Sequence, residues 1–518
     1  MICALSKIIA PLEILETRGD ASVPIHGLAY DSREATAGYL FFALPGLHVD
    51  GHEYIEAALD RGAVAIIHER ELSAYHPGVC YVRVVDSRFA MSPVSDAFRG
   101  SPSRSLAVIG ITGTEGKSTT VWLVYRLLDL AGKKAGFIST VAYNTGNGVL
   151  PNPAHQTTPE ATSIHEKLAA MVGNGLEYAV VESSSHGLSP RYNRLGNVLF
   201  DVGVMTNVRH EHLEFHGTWE RYRDDKANLF RLLDANDHTK TIAGLHVCVP
   251  AFGVTCVDDG STDYFRAATA MPVYTYSMKS PGAADLWAQD IRADDLGATF
   301  SIAEADSARH EARINLPGDF NVENVLAAIL TVSRLCGIPV ANLAPLLPRL
   351  EPVLGRMTRI DSGQPFQVLV DYAHTPSSFE TILAPLAERS KGKLICVFGS
   401  GGERDVQKRP EQGRIAAKYC QVVILADEDP RGEDPMALLE DIAAGCTDLP
   451  RENRLFLIPD RAKAIRTALS LASPGDAVLL LGKGHEGTID YQSGSIPWNE
   501  IEEAKRALSE IGYCGGKF

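Results

Sequence analysis

Lys117 closes a glycine-punctuated run, VIGITGTEGKSTT from Val108 to Thr120, with glycines at 110, 113 and 116. A glycine turn between an apolar stretch (Leu106 to Ile111) and a helical one (Val121 to Leu130) leaves backbone N–H groups free to converge on phosphate oxygens. The positive end of the following helix adds to that field. Lys117 offers a point charge to the β- and γ-phosphates, and Ser118 a hydroxyl for Mg²⁺. Gly113, Thr114, Glu115, Gly116, Lys117, Ser118 and Thr119 therefore predict a nucleoside-triphosphate site. Two details depart from the general phosphate-loop pattern: Ile111 stands where it has a glycine, and Glu115 puts a carboxylate inside an anion cradle.

A second set of groups follows the predicted strand Tyr178–Glu182, which runs into Ser183, Ser184, Ser185 and His186. A carboxylate at the C-terminal end of a parallel strand lies in the crevice where such sheets bind ligands, so Glu182 is placed to hold Mg²⁺ beside Ser118. The strand Val202–Thr206 leads through Asn207 to His210, Glu211, His212, Glu214 and His216. Their spacing fits no HExxH pattern and no cysteine is near, which favours a polar loop with one or two functional histidines over zinc. Lys226, on the helical segment Trp219–Leu232, reads on its own as a solvated surface lysine. Further on come Asp371-Tyr-Ala-His374-Thr-Pro376, Gly399 to Asp405 with Lys408 and Arg409, Asp427 to Pro435, and Gly482-Lys-Gly-His-Glu486. Each follows a hydrophobic strand. One such loop is ordinary; four along one edge of a parallel sheet predict a second binding site.

The elements that must position these groups alternate between short apolar strands and helical stretches, as in α/β folds. At 518 residues the chain is too long for one core and implies about three domains. Arg99–Arg104, rich in Ser and Arg with Gly100 and Pro102, reads as a linker, and Asp234 to Asp306 as less regular strands and loops. Hydrophobic content of 45 % and charged content of 22 % are those of an ordinary globular protein. A net charge of −15 excludes general nucleic-acid binding, yet leaves room for a local basic pocket that takes anionic small molecules. The nine cysteines form no CxxC pair, which predicts reduced thiols and a cytoplasmic location. No run reaches the length of a membrane span, so no membrane insertion is expected.

In this combination the motifs resemble the Mur ligases of bacterial cell-wall synthesis, most closely the branch of UDP-N-acetylmuramyl-tripeptide synthetases. The match runs along nearly the whole chain. Asp31-Ser-Arg33, the stretch Gly38 to Gly46 and Asp50-Gly-His52 fit the nucleotide-sugar domain. Gly110–Thr120, Thr157-Thr-Pro159, Glu182 to His186, Thr206-Asn207, His212 to His216, Lys226 and Gly318 to Asn324 fit the ATP domain. Gly355-Arg-Met357 and the four later loops fit the amino-acid domain. The resemblance implies an α/β fold of three domains. These are a small N-terminal α/β domain (1–103), a central P-loop ATPase-like parallel-sheet domain (104–347) and a C-terminal Rossmann-like domain (348–518).

It further implies an ATP-dependent ligase that adds a diamino acid to UDP-N-acetylmuramoyl-L-alanyl-D-glutamate through an acyl phosphate, acting as a monomer with Mg²⁺. By position, Ser32 would meet the UDP end of that substrate, and Thr157, Thr158, Ser184 and Arg194 its muramoyl-dipeptide part. Lys117, Glu182, His212 and Lys226 would be the catalytic set, with Lys226 N6-carboxylated as an anionic metal ligand beside Ser118, Glu182 and His212. Asn321, Asn324, Asp371 and His374 would lie near the adenosine and Arg356 near the phosphates. Arg404, Asp429, Arg431, Gly482 and Glu486 would grip the amino acid. Several family positions are altered here: asparagine is usual at Glu115, threonine at Ser118, and aspartate at Glu211 and Glu403. The usual Asp-Asn-Pro-Arg reads Glu428-Asp429-Pro430-Arg431. Arg431 suits a distal carboxylate, as in meso-diaminopimelate, whereas Asp429 suits a side-chain ammonium, as in lysine or ornithine. A folylpolyglutamate synthase-like ligase and a catalytically silent nucleotide-binding relative of the same fold stand as the rival readings.

Overall fold

The computed structural model describes residues 2–46, 49–152, 157–209, 216–280, 282–294, 296–305 and 309–515. The chain gathers into two compact units. One holds everything up to Trp287 together with Ala303–Arg309 and Val325–Leu346; the other holds Ala288–Ile302, His310–Asn324 and the chain from Leu347 onward.

The first unit begins with a five-stranded sheet of β1 (Ile14–Arg18), β2 (Gly27–Ala29), β3 (Tyr39–Phe42), β4 (Ala65–His68) and β5 (Cys80–Val84), in the order β1-β5-β4-β3-β2. Only β1 runs antiparallel to its neighbour. Helix α1 (Ser87–Phe98) was not visible as a run of apolar residues, because serines interrupt it. Its apolar positions Ala90, Met91, Val94 and Phe98 nevertheless fall on one buried stripe. Asp86 caps it by accepting from Phe89 N. The expected linker is no loose tether: Pro102 and Ser103 are buried in a short 3₁₀ turn, and Ser103 O accepts from Lys240 Nζ at 2.8 Å.

Six parallel strands then form the centre of this unit: β6 (Ala107–Thr112), β7 (Ala135–Ile138), β8 (Tyr178–Glu182), β9 (Val202–Met205), β10 (Phe252–Cys256) and β11 (Val273–Ser277). Their order is β7-β8-β6-β9-β10-β11. Both faces are covered, so β6 is buried at every position and reads as an unbroken apolar run. Helices α2 (Lys117–Leu130), α3 (Ala161–Gly173) and α4 (Trp219–Arg231) contribute to that cover, with Leu229 and Phe230 of α4 in one core with Val108 and Met205. The stretch expected to be irregular holds β10, β11 and a hairpin of Thr239–Ile242 with Leu245–Cys248. Gly, Asp and Thr break its apolar pattern, and tertiary burial outweighs that local ambiguity.

The second unit carries β12 (Thr358–Ile360), β13 (Gln367–Asp371), β14 (Leu394–Phe398), β15 (Val422–Leu425), β16 (Leu455–Leu457) and β17 (Ala477–Leu481) in the order β12-β13-β17-β14-β15-β16. All but β12 are parallel. Alternate side chains divide between two cores. Leu394, Cys396 and Phe398 join helices α5 (Pro376–Arg389), α6 (Lys408–Tyr419) and α7 (Pro435–Ala443) on one face; Ile395 and Val397 join α8 (Arg461–Leu471) and α9 (Glu500–Glu510) on the other. Parallel pairing delivers the exits of β13, β14, β15 and β17 to a single edge, where the four polar loops begin. Beyond the last of them the chain adds a hairpin, β18 (Thr488–Tyr491) with β19 (Gly494–Pro497). Among the described residues no single helix is long and apolar enough to cross a membrane.

Candidate active site

In the first unit the chain leaves β6 and turns at Gly113, whose φ of +151° is open to glycine alone. A Cβ there would stand 1.9 Å from Thr206 Oγ1. Gly116, at φ +79°, opens α2 directly ahead of Lys117. The loop is moulded by the exit of the neighbouring strand β9. Thr114 N donates to Asn207 O (2.8 Å), Glu115 N to Asn207 Oδ1 (3.0 Å), and Thr206 Oγ1 to Glu115 O (2.6 Å). The Glu115 carboxylate lies 3.9 Å from the Arg209 guanidinium. Lys117 Nζ donates to Thr114 O at 2.7 Å.

Glu182, buried at the end of β8, is surrounded by donors. Ser118 Oγ and Thr140 Oγ1 each donate to its Oε1 at 3.0 Å, and Thr140 N to its Oε2 at 2.8 Å. Thr140 escaped the sequence reading, although it too lies just past a parallel strand, β7. One residue then links this cluster to the predicted substrate groups. Thr158 Oγ1 donates to Glu182 O (3.0 Å) and accepts from Ser184 N (3.0 Å), while Thr158 O accepts from Arg194 Nη1 (2.9 Å). Thr157 precedes it, half-buried, and Ser32 is buried past the exit of β2.

Lys226 is no surface lysine: it is 1 % exposed, its Nζ donates to Gly113 O at 2.6 Å, and it lies 4.3 Å from the Tyr222 ring centre. Tyr222 OH reaches Thr114 Oγ1 at 3.2 Å, so α4 underpins the turn from behind. His216 bridges Asp225 (2.8 Å) and Ser185 (3.1 Å). His212 and Glu211, together with the rest of 210–215, lie outside the described residues. The cradle closed to any Cβ and the Ser118–Glu182 pair at its mouth fit a metal-bound triphosphate.

In the second unit, Asp371 accepts from Met357 N and Ala373 N, both at 2.7 Å, and so pins the Gly355-Arg-Met357 turn to β13. The Arg356 guanidinium then sits 4.7 Å from the Tyr372 ring centre. His374 Nδ1 contacts Tyr372 O (2.8 Å), and Tyr372 OH donates to Glu486 Oε1 (3.1 Å). Buried Lys483 ties Asp429 Oδ1 (2.9 Å) to Glu486 Oε2 (2.6 Å). Burial alone would lower its pKa, but those two carboxylates hold it above the ordinary lysine value. The hairpin β18–β19 is stitched on: Asp490 N donates to Asp429 Oδ1 and Arg431 N to Asp490 O, each at 2.9 Å. Arg431, at φ +54°, also donates to Gly402 O (3.1 Å). Arg404 stands exposed on its loop, and Asn324 Nδ2 donates to Asn321 Oδ1 at 3.2 Å.

Asp429, expected to meet a substrate ammonium, shares Lys483 with Glu486 and accepts from Asp490 N. Besides Asp427 Oδ1, the buried carboxylate oxygen without a partner at this edge, among the described residues, is Glu428 Oε2. Burial pushes that carboxyl up against the pull of Lys408 and Lys483. A Cβ on Gly482 would meet this oxygen at 2.5 Å, so glycine there keeps space beside it. Glu428 and Lys483 stood inside the motifs already noticed; only cross-strand adjacency, which sequence does not carry, reveals their roles.

Three family models match the chain in order: Mur ligase family, catalytic domain over residues 24–93; Mur ligase middle domain over 111–332; and Mur ligase, glutamate ligase domain over 355–484. The chain is 48 % identical to the UDP-N-acetylmuramyl-tripeptide synthetase of Treponema denticola across 98 % of each chain. It is 47 % identical to that of Treponema pallidum across 96 % of each. A solved UDP-N-acetylmuramoyl-L-alanyl-D-glutamate–2,6-diaminopimelate ligase resembles it with a TM-score of 0.63 at 29 % identity, covering 99 % of both chains.

Proposed function

This chain belongs to the Mur ligase family, and we propose that it is the ATP-dependent ligase of peptidoglycan precursor synthesis that adds a diamino acid to UDP-N-acetylmuramoyl-L-alanyl-D-glutamate. The carrying observation is Thr158. Its hydroxyl bonds Glu182 O and Ser184 N while its carbonyl bonds Arg194, and Glu182 in turn accepts from Ser118, so two residues, Thr158 and Glu182, connect the phosphate cradle to the arginine. A γ-carboxylate held there lies next to a γ-phosphate held by the cradle.

The chemistry is acyl activation. The D-glutamyl γ-carboxylate attacks the γ-phosphorus of ATP, giving an acyl phosphate and ADP; the amine then attacks the acyl carbon and phosphate leaves. Lys117 and the backbone N–H groups of Gly116–Thr119 would hold and neutralise the phosphates, and catalysis is mainly positioning. Ser118 and Glu182, with His212, would hold Mg²⁺, which supplies charge neutralisation on the phosphates. Lys226 is the residue for N6-carboxylation, which would turn its cation into a further anionic ligand behind Gly113. In the second unit, Glu428 with its unpartnered oxygen suits a distal ammonium, which meso-diaminopimelate, lysine and ornithine all carry, while Arg431 and Arg404 remain for a carboxylate.

Phosphate release measured with UDP-dipeptide and each of meso-diaminopimelate, L-lysine and L-ornithine tests the reading. Turnover that needs both substrates is expected. Nucleotide binding without turnover in any arm sinks the ligase itself. Hydroxylamine in place of the amino acid should give a hydroxamate if the acyl phosphate forms. A ¹³C-bicarbonate carbamate resonance, absent in Lys226→Met, reads the lysine modification directly.

A further inference from the structure

Arg194 does not stand alone. Its Nη2 donates to Glu160 Oε1 at 2.7 Å, and Nη1 of Arg88, at the start of α1 in the first small domain, approaches the same oxygen at 3.5 Å. Glu160 directly precedes α3, yet its side chain makes no cap to that helix and turns instead to the two guanidiniums. The group is nearly enclosed: Glu160 is 8 % exposed, and the side chains of Arg194 and Arg88 are 12 % and 23 % exposed. Two buried atoms in it lack partners, the acceptor Glu160 Oε2 and the donor Arg194 Nε. Leaving buried polar atoms unpaired destabilises a protein, so such a pair marks a place where a ligand completes the network.

The ligand that does so must offer a donor and an anionic acceptor close together. An N-acylated amino acid does this on one carbon, with its amide N–H and its α-carboxylate. The first domain is fastened beside the group, since Asn193 Nδ2 donates to Phe89 O at 3.0 Å, which fixes the start of α1 against the loop that carries Arg194.

We propose that Arg88 is a substrate-binding residue of the first domain: with Arg194 it takes the D-glutamyl α-carboxylate, while Glu160 Oε2 accepts the D-glutamyl amide N–H. The long Arg88–Glu160 contact is the one that opens to admit the carboxylate. Holding the α-carboxylate between two guanidiniums leaves the γ-carboxylate as the one presented for phosphorylation. This rests on the acceptor named above and adds the domain that reads it.

Calorimetric titration of the full chain with UDP-N-acetylmuramoyl-L-alanyl-D-glutamate, and with the analogue bearing a D-isoglutamine α-carboxamide, tests it. The wild type should bind the carboxylate form about tenfold or more tightly than the carboxamide. Arg88→Ala should lose about that factor for the carboxylate only, and Arg88→Lys should recover part of it. Melting temperature and ATP affinity report whether either variant is folded. Equal loss on both ligands, or no loss on either, overturns the role of Arg88. If the wild type binds neither ligand, the proposed function fails instead.

Discussion

At the scale of single residues, the phosphate turn depends on an atom that is missing. Gly113→Ala drives a Cβ into Thr206 Oγ1, and the hydroxyl that must move is the one bonded to Glu115 O. ATP affinity should fall more than about a hundredfold, with a stability loss of roughly 1–3 kcal/mol. Gly132→Ala is the control: its φ is also positive, at +76°, but open space surrounds it, so roughly 1 kcal/mol of stability should go while ATP affinity stays. Asp427 offers a pH signature. Burial raises its carboxyl from 3.8 to about 6, against the Tyr491 hydroxyl that donates to it at 3.0 Å. A raised acid pKa means the native state holds the proton that the unfolded chain gives up. The contribution of Asp427 to stability should therefore be most favourable below about pH 4, decline as pH climbs to about 6, and level off above. Asp427→Asn should flatten that decline in urea melts of the second unit and gain up to about 2–3 kcal/mol at pH 7.5. An unchanged slope between pH 4 and 6 would show that Asp427 titrates normally.

At the scale of elements, Arg461 of α8 is the tie beneath the four-loop edge of the second unit. It is fully buried against Glu500 of α9 at 2.7 Å. It also donates to Asp427 O (3.1 Å) and Leu481 O (2.7 Å), the carbonyls from which two of the four loops depart. Arg461→Met leaves the Glu500 carboxylate buried without its cation, with Trp498 Nε1 still donating to it at 2.7 Å, which should destabilise the second unit by about 3–5 kcal/mol; adding Glu500→Leu should restore most of that. In the single variant KM for the amino acid should rise more than KM for ATP. A double variant as unstable as the single one would mean that the pair is not the cause. This tie also shows what sequence can carry. The strands that end in Glu182, Asp371 and Leu481 were legible because parallel strands buried on both faces must be apolar runs. The hairpin β18–β19 was not, since its residues pack against loops rather than a core. Lys226 was misjudged on its residues alone because its helix is polar on most sides, and only the turn above it makes it buried.

At the scale of the molecule, a charge of −15 surrounds sites that must accept polyanions. The arginines and lysines that receive them are few and enclosed, so the long-range field is repulsive while the local one attracts. Raising salt from about 20 to about 150 mM should therefore leave the association rate of the UDP-dipeptide unchanged or modestly faster, read by stopped-flow fluorescence. A steep fall would mean that a basic surface, rather than the interior groups, captures it. The order of the three family segments was legible because each motif is local; the two-unit grouping was not, because short stretches between 288 and 346 alternate between the units. The single edge shared by four loops has a consequence for lineages. Their strands are anchored in the two cores behind that edge, so on the proposed reading point changes beyond a strand end would alter which amino acid is taken without refolding the unit.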